Sequence, residues 1–258
     1  MSADLLIEVR GLVTRFGTHV VHDGLDLEVR RGEVLGIVGG SGSGKSVLLN
    51  SIIGLLQPAK GEILFDGKAR SKFTGEEQLA LERRWGVLFQ YGALFSALSV
   101  RENVMAPMRE HLSMGRALME ELADLKISLA GLGPEAAGKL PSELSGGMRK
   151  RAALARSLAL DPDILFLDEP TAGLDPIAAG KFDTLIGELS KTLDLTVVMI
   201  THDLDTLHTI CDRVAVIAEK RVIANAPLAE LTQNPHPWIQ EYFGGPRGRA
   251  ALRSGAGQ

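Results

Sequence analysis

The fold is decided by the stretch Val34-Leu35-Gly36-Ile37-Val38-Gly39-Gly40-Ser41-Gly42-Ser43-Gly44-Lys45-Ser46. Its apolar first part is typical of a buried strand, and residues 45–56 have helical spacing. The part from Gly39 to Ser46 matches the pattern G-x-x-x-x-G-K-[ST], in which backbone N–H groups and a helix N-terminus surround phosphate oxygens. A flexible glycine turn is the alternative, but it explains neither the Lys-Ser pair nor the strand–loop–helix context. The stretch therefore predicts a phosphate-binding loop.

The composition of the 258-residue chain is that of a globular protein, with 45% hydrophobic and 23% charged residues. The net charge is −4 and the basic residues form no block, which argues against a general nucleic-acid-binding protein. The single cysteine excludes an intramolecular disulfide, and no basic-then-apolar leader opens the sequence. The longest apolar runs fall short of the roughly 20 residues that span a bilayer. We therefore expect a soluble, cytoplasmic protein that depends on another chain for any membrane part.

Strand-like and helix-like patterns alternate along the chain. The strand-like patterns occupy residues 5–13, 25–29, 34–38, 61–66, 86–90, 164–167, 196–200 and 214–218. The helical patterns occupy residues 45–56, most of 101–160, 177–193 and 204–211. Such alternation is typical of a parallel sheet covered on both faces. The sequence predicts an α/β core over residues 1–236, with an antiparallel β portion early on, a helical subdomain inserted at about 91–160, and a weakly ordered tail at 237–258.

The apolar run 164–167 ends in two carboxylates, Asp168 and Glu169. A strand buried on both faces is apolar throughout, and its C-terminal end opens onto the ligand crevice of a parallel sheet. Asp168 is suited there to hold Mg²⁺, and Glu169 to orient or deprotonate an attacking water. A strand followed by a solvated acidic turn is the alternative. The phosphate-binding loop in the same chain favours the catalytic interpretation.

A third motif, Leu144-Ser145-Gly146-Gly147-Met148, opens a helix predicted to reach residue 160. Ser145 is a good N-cap, and the two glycines leave backbone N–H groups bare for an anion. By itself the motif indicates only the start of a helix. Its place in the chain, where Gly146 stands 22 residues before Asp168, is what favours a function.

Taken in order, these motifs resemble those of the ATP-binding subunits of ABC transporters. The set also includes Asp-Glu-Pro-Thr at 168–171, Ala-Gly-Leu-Asp at 172–175 and Thr-His-Asp at 201–203, and the resemblance covers about residues 5–235. It implies a P-loop NTPase (RecA-like) core, hydrolysis of ATP with Mg²⁺, and two identical subunits packed head to tail. Each ATP then lies between the phosphate-binding loop of one subunit and the signature segment, residues 144–148, of the other.

The resemblance also implies a role for each matching residue. The catalytic residues are Glu169, His202 at the γ-phosphate, and Gln90, which touches Mg²⁺ and couples to the permease. The metal ligands are Ser46, Gln90 and Asp168. The ATP-binding residues are Phe16 beside the adenine, Gly39, Gly40, Ser41, Gly42, Ser43, Gly44, Lys45, Ser46 and Val47 around the phosphates, and Ser145, Gly146, Gly147 and Asp175 at the subunit interface. For Phe16 a place in the core is the alternative.

Two departures from the family pattern stand out. The signature segment ends in Met148 where the family usually has glutamine, so any polar contact of that fifth residue is lost. The family commonly has glycines in a β-hairpin late in the chain, where this chain has Glu-Lys-Arg at 219–221 and Asn225. Asparagine tolerates positive φ, so we expect Asn225 to form such a turn and residues 219–221 to form a different one.

The small, apolar segment after Gln90 indicates the kind of transporter. Residues 91–98, Tyr-Gly-Ala-Leu-Phe-Ser-Ala-Leu, predict a docking surface for a permease helix. The sequence of this segment is similar to that of MlaF-type ATPases. These ATPases serve systems with Mce-domain partners that transport lipids between the membranes of a bacterial envelope. We therefore expect a phospholipid transport ATPase, peripheral at the inner membrane, with permease subunits and an Mce-domain lipid-binding protein as partners.

Two alternatives stay open. One is the ATPase of another ABC system, such as a solute importer or a lipoprotein-releasing exporter. The other is a soluble ABC protein of translation or DNA repair, or a scaffold that no longer hydrolyses ATP. The absence of a second nucleotide domain and the presence of Lys45, Glu169 and His202 argue against this second group.

Overall fold

The computed structural model describes residues 4–245. Its strands are β1 (Leu5–Phe16), β2 (His19–Arg30), β3 (Val34–Gly39), β4 (Lys60–Phe65), β5 (Lys68–Ala69), β6 (Trp85–Leu88), β7 (Ile164–Asp168), β8 (Thr196–Ile200), β9 (Arg213–Ala218) and β10 (Arg221–Ala226). Its helices are α1 (Lys45–Ile53), α2 (Glu76–Arg83), α3 (Val100–His111), α4 (Arg116–Leu129), α5 (Gly146–Ser157), α6 (Pro176–Thr192), α7 (Leu204–Ile210), α8 (Leu228–Leu231) and α9 (Pro237–Gly244). The chain divides into two compact units, one of residues 79–195 and the other of the segments before and after it.

The unit that contains both ends of the chain has two sheets. One is antiparallel, with strand order β2-β1-β4-β5. In the other, β3 lies between β8 and β9 and is parallel to both, and β10 pairs antiparallel with β9. Because β3 and β8 are parallel neighbours, the loops that follow them leave the same edge of the sheet.

The antiparallel sheet begins with a longer hairpin than the sequence predicts. The strands expected at 5–13 and 25–29 correspond to β1 and β2. Both observed strands are longer than expected, and only two residues join them. The strand pairing passes through several register shifts, and Gly11 and Gly24 have positive φ beside them. These bulges interrupt the alternation of apolar and polar residues, which hides residues 19–24 from a periodicity search.

The unit of residues 79–195 contains the parallel pair β6 and β7, with Leu88 opposite Leu167. Helices α3, α4 and α5 fall within the range predicted to be helical. Helix α3 begins with a capping box between Ser99 and Glu102. Helix α2, which precedes β6, was not predicted. Its sequence is polar, and Leu81 is its one buried residue, so it carries no apolar periodicity.

Of the two turns expected late in the chain, the one within residues 219–221 is present and the one at Asn225 is not. Glu219 and Lys220, at φ +51° and +66°, form the two-residue connection between β9 and β10. Asn225 lies inside β10 and pairs with Ala215, so the expectation that it forms a turn is wrong. Strand pairing decides the position of this turn, against the usual preference for Gly or Asn at positive φ.

Helix α9 lies within the segment 237–258, for which the sequence predicts weak order. Ile239 and Phe243 are buried in a cluster with Val38 of β3 and Leu207 of α7. The i, i+4 spacing of Ile239 and Phe243 puts both on one face of the helix, so burial of that face accounts for its order. The rest of the segment, residues 246–258, lies outside the described residues.

Candidate functional site

The phosphate-binding loop, residues 39–46, connects β3 to α1 as the sequence predicts. Gly42 and Gly44 have φ of +75° and +95°, a region that glycine enters without steric cost. Residues with positive φ let the loop turn back sharply so that its N–H groups can face a common point. Helix α1 starts at Gly44 without a side-chain cap, so its first N–H groups are available to an anion.

Gly44 lies against the floor of the loop, which is formed by β2. A Cβ atom at Gly44 would lie 2.5 Å from Nε2 of His22 and 2.5 Å from Cγ1 of Val21. His22 is fully buried, and its Nδ1 is hydrogen bonded to Oγ1 of Thr14 at 2.8 Å. Only glycine fits at position 44, for both steric and conformational reasons.

Two polar side chains of the loop are placed for a ligand. The ammonium of Lys45 donates to the carbonyl oxygens of Gly39 at 2.9 Å and Gly40 at 3.1 Å, which sets it over the loop. The Oγ atom of Ser43 is buried and has no hydrogen-bond partner among the described residues, 4–245. A phosphate oxygen could accept hydrogen bonds from both groups.

Phe16 ends β1 and its side chain is 52% exposed. This exposure excludes the alternative of a core phenylalanine. A ring in that position is free to stack on a flat ligand.

His202 follows β8, at the same edge of the sheet as the phosphate-binding loop, and is exposed. Its carbonyl oxygen accepts a hydrogen bond from the Tyr242 hydroxyl of α9 at 3.3 Å. The Tyr242 ring stacks on Trp238 with centroids 4.8 Å apart. Helix α9 therefore contacts the histidine segment, a contact that the sequence analysis missed because it treats 237–258 as a tail.

In the other unit, Asp168 is the last residue of β7 and Glu169 follows it. Glu169 has φ +50°, which is uncommon for a residue with a Cβ atom. Gln90 lies two residues beyond β6, the parallel neighbour of β7, and is exposed. The structure thus brings Gln90, Asp168 and Glu169 to one edge of this strand pair.

The signature segment starts α5 as predicted. The Ser145 hydroxyl is the N-cap and accepts from the backbone N–H of Met148 at 3.2 Å. Gly146 is exposed, with no atom within 4 Å of a Cβ placed on it. A pocket of about 400 Å³ is lined by residues of the signature helix and of the loops after β6 and β7, including Gly146, Lys150, Gln90 and Gly173.

Asp175, expected at the subunit interface, is the N-cap of α6. One carboxylate oxygen accepts from the N–H groups of Ile177 at 3.1 Å and Ala178 at 3.0 Å. The structure therefore gives this carboxylate a local role in starting the helix.

Three residues of this unit were missed by the sequence analysis and fix its loops. Lys150 of α5 is buried and donates to the carbonyl oxygens of Gln90 and Glu169. Burial lowers the pKa of its ammonium, and the nearby carboxylates of Glu169 and Asp168 oppose that shift. Arg156, further along α5, donates to the carbonyl oxygens of residues 92 and 93.

The third, buried Asn103 of α3, organises the apolar segment, residues 91–98. Its amide nitrogen donates to three carbonyl oxygens of residues 95–99, and its Oδ1 accepts from the N–H of Phe95 at 2.7 Å. The side chains of the segment nevertheless face outward: Tyr91 is 90% and Phe95 55% exposed. Leu94 is half-buried. The segment combines a fixed backbone with exposed apolar side chains, which is typical of a protein contact surface.

Across residues 4–245, every helix is too short or too polar to cross a membrane.

Comparison with known proteins yields a consistent family. The family model described as "ABC transporter" matches residues 22–172, more than half of the chain. The "intermembrane phospholipid transport system ATP-binding protein MlaF" of Haemophilus influenzae is 41% identical, with 93% of this chain and 90% of that protein aligned. The "probable ribonucleotide transport ATP-binding protein mkl" of Mycobacterium leprae is 37% identical over 96% of this chain and 71% of its own length.

A solved structure agrees with this result. The ATP-binding cassette MJ0796, described as dimeric and bound to ADP and Pi after hydrolysis, is 29% identical with a TM-score of 0.79, over 86% of this chain and 99% of that chain. The predicted α/β P-loop fold is thereby confirmed. The chain belongs to the ABC transporter family and is one of its ATP-binding, ATP-hydrolysing subunits.

Proposed function

We propose that this ATPase powers a bacterial ABC transporter of phospholipids or related lipids between envelope membranes. The observation on which the proposal rests is the 41% identity to an intermembrane phospholipid transport ATPase, extending over nine-tenths of both chains. We further propose that residues 1–236 act as one ATP-binding domain, in which residues 91–160 form the helical subdomain.

The proposed nucleotide contacts are those that the sequence motifs imply. The N–H groups of residues 39–47 and the Lys45 ammonium bind the phosphates, and the exposed ring of Phe16 stacks on adenine. The residues proposed to hold Mg²⁺ are Ser46, Gln90 and Asp168, whose side chains all offer oxygen donors of the kind that this ion prefers. When bound, the ion neutralises charge on the β- and γ-phosphates.

In the proposed reaction, Glu169 orients the attacking water and accepts its proton, and His202 contacts the γ-phosphate. Glu169 is suited to this task because its backbone is fixed at an uncommon φ by hydrogen bonds to its carbonyl oxygen. The exposed Gln90 reports the presence of the γ-phosphate to the apolar segment that directly follows it.

We propose that the working unit is a homodimer in which Ser145, Gly146 and Gly147 complete the ATP site of the other subunit. Ser145 and Gly146 are exposed at the N-terminus of α5, which supports this arrangement. The N–H groups of Gly146 and Gly147 precede the capped N–H of Met148 and are left for an anion from outside. Asp175 lies at the same interface.

The proposed membrane partners are permease subunits that dock a helix on the apolar segment, together with an Mce-domain lipid-binding protein. The chain would then be peripheral at the cytoplasmic face of the inner membrane. Support comes from the exposed Tyr91 and Phe95 on a backbone fixed by Asn103 and Arg156.

Purification of the chain with its native partners, followed by extraction of bound lipid, tests the transport proposal. We expect a permease and a lipid-binding protein to co-purify, and ATP-dependent transfer of labelled phospholipid between two membrane populations. Co-purification with a permease in a complex that binds and moves ribonucleotides, the cargo in the name of the mycobacterial relative, would contradict the lipid assignment.

A further inference from the structure

Lys150 joins three parts of the ATPase that the sequence motifs treat separately. It lies in α5, the helix that starts at the signature segment, and is only 7% exposed. Its ammonium donates to the carbonyl oxygen of Gln90 and, at 3.1 Å, to that of Glu169. A charge removed from water requires such partners, because an ammonium without them is strongly destabilised.

The hydrogen bond from Lys150 to Glu169 is made to a residue with an unusual backbone conformation. Glu169 has φ +50°, and a residue with a Cβ atom stays in that region only where its surroundings hold it there. Its carbonyl oxygen accepts from Lys150 and also from the N–H of Ala172 at 3.2 Å. The two hydrogen bonds therefore fix the backbone from which the Glu169 side chain leaves.

The bond to Gln90 is reinforced along the same helix. A Cβ atom on Gly92 would lie 3.3 Å from the Cβ of Ala153, and Arg156 donates to the carbonyl oxygens of Gly92 at 2.9 Å and Ala93 at 2.6 Å. Lys150, Ala153 and Arg156 follow one another at intervals of three residues, which places them on one side of α5. The backbone of residues 90–93 therefore moves with this helix.

We propose that Lys150 is a positioning residue for ATP hydrolysis. It acts through Gln90 and Glu169, and the inference rests on the catalytic roles proposed above for these two residues. Its ammonium keeps the backbone of the general base in register with the glutamine loop and with the signature helix. A displacement of the apolar segment by a permease would then change the orientation of the Glu169 carboxylate through a single buried charge.

Three variants of the full-length chain, purified with its partners, test this role. Lys150→Met keeps the length of the side chain and removes the ammonium, whereas Lys150→Arg keeps a charged donor. Lys126→Met is the matched control, because Lys126 is also buried, at 5% exposed, but its ammonium pairs with Asp161. Steady-state kcat and KM for ATP and the thermal unfolding midpoint are measured for each.

We expect Lys150→Met to lower kcat at least tenfold with KM for ATP changed less than threefold, because the phosphate-binding loop is intact. Lys150→Arg is expected to retain at least a third of wild-type kcat, and Lys126→Met to keep kcat whatever its unfolding midpoint. A Lys150→Met protein with wild-type kcat overturns the proposal, as does an equal loss of kcat in Lys126→Met. If Lys150→Met does not assemble, a Lys150→Arg protein that assembles with wild-type stability but has lost kcat tenfold also overturns it.

A fourth variant, Glu169→Gln, separates this inference from the proposed function. If Glu169→Gln hydrolyses ATP at the wild-type rate, the catalytic roles themselves fail. If Glu169→Gln is inactive and Lys150→Met is fully active, only the positioning role of Lys150 fails.

Discussion

At the scale of single residues, the proposed chemistry depends on the carboxylate of Glu169, which follows the proposed metal ligand Asp168. Glu169→Gln replaces that carboxylate with an amide of the same shape that cannot accept a proton. General-base assistance is worth about 10²–10⁴-fold in rate, so we expect a loss of that size in steady-state ATPase activity. Retention of radiolabelled ATP by the purified complex should be unchanged, and the ATP-bound dimer should accumulate.

Glu188→Gln is the control for this substitution, because Glu188 is exposed on α6 and belongs to none of the motifs. It should hydrolyse ATP at the wild-type rate. Wild-type turnover in Glu169→Gln would show that another group is the base.

The residue scale also shows what sequence reasoning can reach. Lys45, Ser145 and Glu169 stand in spaced motifs, and the spacing itself places them in a loop, at a helix start and at a strand end. Lys150 has no such signal, since a lysine in a helix is usually solvated. Its burial results from loops 60 residues earlier and 19 residues later in the chain, and only their folded positions make it visible.

At the scale of elements, the apolar segment tests the permease contact. Tyr91 is 90% exposed, so Tyr91→Asp should leave the thermal unfolding midpoint of the free subunit within about 2 °C of wild type. If a permease helix covers this side chain, the new carboxylate is buried without a partner, which costs several kcal/mol. We therefore expect recovery of the membrane complex to be lost.

Leu125→Asp provides the comparison, since Leu125 is also exposed, at 51%, but lies on α4. It should assemble normally. Normal assembly of Tyr91→Asp would place the permease contact elsewhere. A large drop in its unfolding midpoint would instead make the tyrosine part of the subunit's own packing.

Elements were predicted best where one period runs through them without interruption. Strands β3, β7 and β8 are buried and uniformly apolar, and their predicted bounds agree with the structure to within a residue. In the late hairpin local preference is a poor guide, because Asn225 lies in β10 although asparagine favours turns, and the turn is formed by Glu219 and Lys220, which have no preference for positive φ. Long-range pairing with β9 outweighs the local preference of Asn225.

At the scale of the whole molecule, the proposed dimer predicts a difference between two ways of combining the same substitutions. Lys45→Ala removes a phosphate contact from one subunit, and Gly146→Glu puts a carboxylate into the signature segment offered to the other. Position 146 accommodates a side chain, because no atom lies within 4 Å of a Cβ there. With both changes in one subunit, each of the two ATP sites carries one defect. With the changes in different subunits, one site carries both and the other is intact.

Mixed dimers with differently tagged subunits allow this comparison. We expect the dimer with separated changes to retain up to half of the wild-type ATPase activity and the dimer with both changes in one subunit to be nearly inactive. A mixed dimer of wild-type and Lys45→Ala subunits keeps one intact site and serves to measure turnover from that site alone. If this control hydrolyses ATP, equal activities of the two test dimers would contradict sites shared between subunits.

The packing of His22 beneath Gly44 has a consequence for the whole molecule in acid. Burial lowers the pKa of His22 to about 4, with the backbone of Gly44 opposing part of the shift, whereas an unfolded histidine titrates near 6.5. Between those pH values His22 is protonated in the unfolded chain but neutral in the folded chain. The free energy of unfolding therefore falls as pH decreases from about 6.5 to 4, by up to about 3 kcal/mol. Urea unfolding at pH 7.5 and 5.0 should show this loss in the wild type and a smaller one in His22→Gln; equal losses would assign the acid sensitivity to other groups. The same imidazole lies beneath the phosphate-binding loop, so the folded state that binds ATP is the one in which His22 is neutral. Because bound nucleotide favours this folded state, saturating ATP should protect the protein against acid.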